Sequence, residues 1–254
     1  MNNLFGNIVD TAIERLKEFE ASAIAKHPDG YYVAYSGGKD SDVILNLVRQ
    51  SGVKYTAHHN LTTCDPPELV YHVREQKDVE IIRPKMTMWE LIKKKKMPPR
   101  RNARYCCEVL KEGGGIGRMV VTGVRWQESR SRAKRRMVET CYRTKTKQFF
   151  NVIIDWSDDD VWGYIHKNKI EYCKLYDEGF KRIGCVLCPM NREVELHLKR
   201  FPQIARAWER AIKSTFQLKD NLKWKTPEEY WQWWLDRDGR ASRNDSNQFM
   251  FFED

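Results

Sequence analysis

Ile8, Val9, Ala12, Ile13, Leu16 and Phe19 recur at three- and four-residue intervals, a period that predicts an amphipathic helix near the start of this 254-residue chain. Beyond it the period shortens. Compact apolar runs at 31–35, 53–58, 79–83 and 119–124 read as strands, and stretches of ten or more residues with helical character separate them. A further strand is expected at 148–154, leading through Asp155-Trp156 to Ser157 as the N-cap of another helix. Asp65-Pro66-Pro67-Glu68 reads as a helix start, because proline suits the first turn. Such alternation implies an α/β fold with a doubly wound, mainly parallel sheet. The last part differs. Residues 191–214 carry Leu196, Phe201, Ile204, Ala205, Trp208 and Ile212 at helical spacing, and a Trp-rich segment follows at 230–235. The expected organisation is an α/β domain over 1–190 and a helical C-terminal extension over 191–254.

The junction between the first strand and the next helix carries the strongest chemical signal. There the chain reads Tyr-Ser-Gly-Gly-Lys-Asp-Ser-Asp from Tyr35 to Asp42. Gly37 and Gly38 let the backbone turn sharply and aim consecutive N–H groups at one point. The helix dipole adds partial positive charge, and Ser36, Lys39 and Ser41 supply further donors. The expected guest is a phosphate group. Neither the Gly-x4-Gly-Lys-Ser/Thr pattern nor Gly-x-Gly-x-x-Gly is present at this junction.

Composition narrows the class. Aromatic residues make up 12% of the chain and nine are Trp, which fits a packed protein rather than a disordered one. No apolar run approaches the roughly 18 residues of a membrane span. The first ten residues lack a basic segment followed by an apolar one, so a cytoplasmic location is expected. The formal net charge is +10. Lys93, Lys94, Lys95, Lys96, Arg100, Arg101 and Arg104 form one basic cluster, and Arg125, Arg130, Arg132, Lys134, Arg135 and Arg136 form another. A solvated helix face accounts for the lysine run. The two clusters together also suit a polyanion: a nucleotide phosphate, or a nucleic acid such as DNA or tRNA. Trp231, Trp233 and Trp234 fit either a platform for unpaired bases or the seal of a terminal-helix core. His58 and His59 fall near the expected nucleotide, as contacts to it or as structural histidines.

Seven cysteines in a reducing compartment argue for metal binding or catalysis rather than disulfides. Cys185-Val-Leu-Cys188 is a C-x-x-C, which can turn two sulfurs toward one centre. Cys106 and Cys107 are adjacent, and neighbouring side chains diverge. Such a pair reaches a wide iron–sulfur cluster more easily than a single ion. The set Cys106, Cys107, Cys185 and Cys188 therefore suits [4Fe–4S], with structural zinc and plain buried, unligated thiols as the other candidates. Cys64, Cys141 and Cys173 show no partner spacing.

The loop resembles the PP-loop, Ser-Gly-Gly-x-Asp-Ser, of enzymes that split ATP between its α and β phosphates. With the downstream Cys-Cys and C-x-x-C, the chain resembles the [4Fe–4S]-binding branch of the phosphoadenosine phosphosulfate (PAPS) reductase family. Three further segments agree. Residues 123–132, Gly-Val-Arg-Trp-Gln-Glu-Ser-Arg-Ser-Arg, are similar to the family's Gly-x-Arg-x-x-Glu-Ser-x-x-Arg. Residues 155–165 resemble its Trp-x-x-x-Asp-Val-Trp-x-Tyr-Ile helix, and 175–185 its run into the C-x-x-C. The resemblance implies an adenine nucleotide, ATP or PAPS, on Ser36, Gly37, Gly38, Lys39, Asp40 and Ser41. It implies Mg²⁺ placed with help from Asp40, and Arg125 and Arg132 facing the phosphates.

Reductases of this family carry a late Glu-Cys-Gly-x-His whose cysteine attacks the sulfonucleotide, and no cysteine follows Cys188 in this chain. The resemblance is therefore closer to the branch that uses ATP and a sulfur source to modify a macromolecule, as in DNA phosphorothioation. The expected activity is α–β phosphate cleavage supporting sulfur transfer, with a sulfur-donor protein as a further partner. The alternatives are sulfonucleotide reduction with an external thiol, and a non-catalytic nucleotide- or nucleic-acid-binding subunit of a modification or defence complex.

Overall fold

The computed structural model describes residues 7–216 and 224–236. In chain order the elements are α1 (Ile8–Glu18), α2 (Glu20–Lys26), β1 (Tyr31–Ala34), α3 (Lys39–Ser51), β2 (Tyr55–Asn60), α4 (Pro67–Glu75), β3 (Val79–Ile82), α5 (Met88–Lys95) and α6 (Tyr105–Leu110). There follow β4 (Met119–Val121), β5 (Val138–Thr140), β6 (Gln148–Phe150), α7 (Asp158–Lys167), α8 (Val194–Arg200), α9 (Pro202–Phe216) and α10 (Pro227–Leu235). They gather in two compact units. One joins the chain up to Lys85 with Cys107–Cys185, and the other joins Met86–Cys106 with the chain from Val186 onward.

The first unit is a six-stranded sheet in the order β3-β2-β1-β4-β6-β5, flanked by helices. Every neighbouring pair is parallel except β5 with β6. Tyr31, Tyr32 and Val33 on the central β1 are all buried, as a strand covered on both faces requires. Their continuous apolar run is what marked β1 in the sequence. The fold class is the expected α/β one with a mainly parallel sheet. β5 was not anticipated: it is three residues long, polar in its middle, and held only at the antiparallel edge, where Glu139 pairs with Phe149. The strand expected at 148–154 stops at Phe150. Beyond it the chain turns, and the Ile154 carbonyl accepts a bond from Trp126 N–H at 2.8 Å.

The second unit is helical. Thr87 and Glu90 form a capping box at the start of α5, which buries Met88, Leu91 and Ile92. The helix expected over 191–214 is broken at Pro202, which lacks an N–H and pushes Phe201 out of helical geometry. Trp208 on α9 is fully buried, with Trp89 edge-on at 5.3 Å and Trp234 stacked at 4.9 Å. Their indole N–H groups donate to the carbonyls of Val186 (Trp208) and Pro99 (Trp234). Trp234 thus belongs to the core of this unit, whereas Trp231 and Trp233 stay partly exposed. The sequence also offers Phe249, Phe251 and Phe252 to dock the polar tail, and these lie outside the described residues. Among those residues no helix is long and apolar enough to cross a membrane.

Candidate functional site

The loop from Ser36 to Ser41 follows β1 and opens α3, entirely within the first unit. Gly37 sits at φ +74°, and a Cβ there would come within 2.5 Å of Leu69 and 2.8 Å of Val73. Only glycine allows both the turn and the close approach of α4. Gly38 precedes the first turn, and its carbonyl accepts from Ser41 N–H at 2.8 Å, Asp42 N–H at 3.0 Å and the Ser41 hydroxyl at 2.7 Å. Ser36 donates to Ser41 Oγ at 3.1 Å. Lys39 N–H, at the N-terminus of α3, donates to the Tyr176 hydroxyl at 3.0 Å.

A buried trio anchors this helix from behind. Asp42 Oδ1 accepts from the Tyr35 hydroxyl at 2.6 Å and lies 3.0 Å from His72 Nε2 on α4. Burial works to lower the His72 pKa, but the bond and charge of Asp42 outweigh it and raise it above its usual value.

The second wall comes from the segment after β4. A Cβ on Gly123 would lie 3.0 Å from Asp40 Cβ and 3.1 Å from its backbone, so glycine lets the β4 exit press against the first turn of α3. Two residues later the Arg125 guanidinium is only 3% exposed. Its Nε donates to Asp40 Oδ1 at 2.7 Å, one Nη to Asp158 Oδ1 at 2.8 Å, and the other Nη to the Trp156 carbonyl at 3.3 Å. Lys39 Nζ donates to the same Asp158 oxygen at 2.7 Å, lies 3.4 Å from both Asp40 oxygens, and sits 5.9 Å from the Trp162 ring centroid. Two buried cations and two carboxylates thus meet beside the loop. Burial works to raise the Asp158 pKa, but Lys39 and Arg125 overcome it and hold the carboxyl below its usual range. Burial opposes the charge on Arg125, and Asp40 and Asp158 more than restore it.

Arg132 stands apart from this network. It pairs with Glu128 one turn back in its own segment, and its N–H donates to Ser129 Oγ. Arg130, Lys134 and Arg136 are exposed, as are Lys93–Lys96 in the second unit. His59 is buried with Nδ1 3.0 Å from the Tyr35 carbonyl, and burial depresses its pKa. His58 stacks on Tyr32 at 4.3 Å. Asp158, Tyr176 and Trp162 were not singled out as site residues from sequence. Asp158 was one of three consecutive aspartates with the character of a first helical turn, and only its contacts distinguish it.

All seven cysteines are thiols rather than disulfides. Cys107 and Cys185 belong to the first unit, and Cys106 and Cys188 to the second. Among the described residues no three His, Cys, Asp or Glu side chains gather as a metal ion would require. Cys185 Sγ lies 3.3 Å from Thr62 Oγ1, which is 3.4 Å from Cys64 Sγ and donates to Asp65 at 2.7 Å. A hydrogen bond with Cys64, against the cost of burial and with help from the charge of Lys111, brings the Cys185 thiol down to about 6. The same pairing and its own burial push the Cys64 thiol up. Cys64 was read as having no partner spacing. Its partner is distant in sequence, and the fold supplies it.

Residues 30–191 match the phosphoadenosine phosphosulfate reductase domain, and the chain belongs to that family. An uncharacterised protein of Methanocaldococcus jannaschii is 32% identical over 208 residues, 75% of this chain and 42% of the relative. The chain spans about half the length of the M. jannaschii relatives it matches. An adenosine 5'-phosphosulfate reductase of Staphylococcus haemolyticus is 26% identical over 195 residues, 70% of this chain and 78% of that one. Among solved structures, the phosphoadenylyl-sulfate reductase of Candida auris superposes with a TM-score of 0.50 at 21% identity, over 70% of this chain and 93% of that one. The superposition bears on the fold, which is the mainly parallel α/β one described above.

Proposed function

We propose that this chain binds ATP on the Ser36–Ser41 loop and activates a substrate by cleavage between the α and β phosphates, in support of sulfur transfer. The observation that carries this reading is the pair of buried cations, Lys39 and Arg125, converging beside a Gly-Gly turn at the N-terminus of α3, where the Tyr176 hydroxyl meets Lys39 N–H. Backbone N–H groups of the loop receive the pyrophosphate portion, and Lys39 and Arg125 neutralise the charge that develops on it. Because the protein encloses both cations, they need no reorganisation as that charge appears. Asp40 is the residue that would help hold Mg²⁺, which is commonly bound by one or two carboxylates plus substrate phosphates; bound there, the ion would supply charge neutralisation. Arg132, paired with Glu128 and a third exposed, is assigned to the outer face, where it meets a macromolecular acceptor. The exposed lysines and arginines suit a polyanionic acceptor such as DNA or tRNA.

For the cysteines we propose that Cys106, Cys107, Cys185 and Cys188 hold a [4Fe–4S] cluster. Four thiols in a C-x-x-C and an adjacent pair have the right donor chemistry, since their thiolates are the usual ligands of such a cluster. The cluster would supply a site for carrying or positioning sulfur. Anaerobic purification with iron and sulfide analysis tests it: brown protein with about four irons per chain is expected. Colourless protein holding one zinc would replace the cluster with a structural ion.

A second reading, reduction of a sulfonucleotide to sulfite with an external thiol, is favoured by the similarity to the S. haemolyticus reductase. Incubation with ATP or with PAPS separates the two. Pyrophosphate released from ATP when an acceptor nucleic acid or sulfur-donor protein is added supports the first reading. Thioredoxin-dependent sulfite from PAPS supports the second.

A further inference from the structure

We propose that Asp158 is a built-in anion that occupies the position of a phosphate oxygen between Lys39 and Arg125, and that it is displaced when nucleotide binds. The inference rests on the nucleotide reading of the loop and adds to it a residue that sets which anions are accepted. One oxygen, Asp158 Oδ1, receives Lys39 Nζ at 2.7 Å and Arg125 Nη at 2.8 Å. A single acceptor shared by a lysine and an arginine fork is the arrangement a bound phosphate oxygen makes. The three groups differ in freedom. The Asp158 side chain is 52% exposed, whereas those of Lys39 and Arg125 are 7% and 3% exposed. The carboxylate can swing into water, and the cations cannot follow it.

The helix does not need that carboxylate. Ser157 and Asp160 already form the capping box of α7, with Ser157 Oγ accepting from Asp160 N–H and Asp160 Oδ2 accepting from Ser157 N–H. The N–H of Asp158 donates to Gln127 at 2.6 Å, so its backbone stays anchored when the side chain leaves. Arg125 also keeps a counter-charge after the exchange, because Asp40 still accepts from its Nε. A neutral oxygen covers the adjoining donor in the same way, the Tyr176 hydroxyl on Lys39 N–H. An incoming ligand must offer more charge and more oxygens than one carboxylate. Pyrophosphate and the polyphosphate of a nucleotide do so, and a monoanion does not. Asp158 therefore acts as a positioning and selectivity residue: it keeps two buried cations paired in the unliganded protein and screens out weak anions.

The test is calorimetry of the full chain with inorganic pyrophosphate, inorganic phosphate and ATP, with and without Mg²⁺. Wild type is compared with Asp158→Asn and with Asp159→Asn as a control on the same turn. Loss of the competing charge should tighten pyrophosphate binding about tenfold without Mg²⁺ and narrow the gap between pyrophosphate and phosphate. Asp159→Asn should leave both unchanged. A gain in affinity is not something that structural damage produces. Unchanged or weaker pyrophosphate binding by Asp158→Asn, with the wild type binding normally, overturns the proposal alone. So does a loss seen only with Mg²⁺, which would make Asp158 a metal ligand. Failure of the wild type to bind pyrophosphate or ATP overturns the nucleotide reading and this inference together.

Discussion

Arg125 and Arg132 lie seven residues apart in one segment, yet the fold treats them as different kinds of charge. Arg125 is carried inward where Gly123 meets Asp40, and it ends almost wholly buried between two carboxylates on two other elements. Arg132 opens a short helical turn and answers Glu128 at the end of the short turn before it, with a third of its side chain in water. A charge withdrawn from water must be paired, so burial makes Arg125 selective about its neighbours and gives it a strong field. A charge left in water is screened and nearly indifferent to its partner. Equal prominence in a motif therefore does not imply equal weight in the site.

The largest effect that would test this contrast is on Arg125. Arg125→Ala should weaken ATP binding by two to three orders of magnitude, about 3–4 kcal/mol, because it also leaves Asp40 and Asp158 without their common partner. Calorimetry reads this directly, and a loss under about fivefold would place the nucleotide elsewhere. Lys39→Ala should behave similarly.

The His72–Asp42 pair tests whether enclosed charge matters equally for stability. His72→Ala should destabilise the protein by about 2 kcal/mol in urea unfolding, since Asp42 loses one of its two partners in a buried setting. The raised His72 pKa fixes the direction with pH. The protonated imidazole is favoured in the folded state, so its contribution is complete below the unfolded value of 6.5 and disappears as pH rises through the higher folded value. The gap between wild type and variant should therefore shrink on going from acidic to alkaline pH. A gap that widens instead would show that His72 is held neutral.

A surface pair supplies the counterpart. Arg15 forms a two-pronged bond to Asp155, at 2.8 and 2.7 Å, and also reaches the Val152 carbonyl. Asp155 keeps 41% of its side chain in water, so Arg15→Ala should cost only about 0.5–1 kcal/mol. The Arg15 bond lowers the Asp155 pKa, so this contribution is present above the usual 3.8 and fades as pH falls through the lower folded value. Parallel unfolding curves at pH 7 and pH 3 would contradict that assignment. The smallest effect belongs to Arg132. Arg132→Ala should change ATP affinity less than about threefold, since an exposed i,i+4 pair contributes a few tenths of a kcal/mol. A loss matching that of Arg125 would erase the distinction between them.

Local chemistry explains which features were legible beforehand. The loop was readable because a positive-φ turn, a helix start and a donor set all come from consecutive residues. β1 and α1 were readable because burial imposes a period on neighbouring positions. β5 was not, since three residues at an antiparallel edge impose no period. The break at Pro202 was open to recognition, and the longer run of apolar spacing concealed it.

Asp158 shows where local information ends. Its triplet of aspartates announces a helix N-terminus, and nothing in the triplet distinguishes the one that meets Lys39, 119 positions away, from the two that do not. Cys64 is similar, since its nearness to Cys185 depends on a loop after β2 and another at the end of the first unit. By itself the sequence determined the alternation of strands and helices that makes a mainly parallel sheet, the Gly-Gly turn ahead of α3, and the supply of cations and thiols, because each rests on the backbone preferences or chemistry of adjacent residues. The tertiary structure alone decided which of those charges are enclosed, which face water and which carboxylate closes the fork. Burial and pairing are set by residues far apart in the chain, and only packing brings them within the few ångströms over which they act.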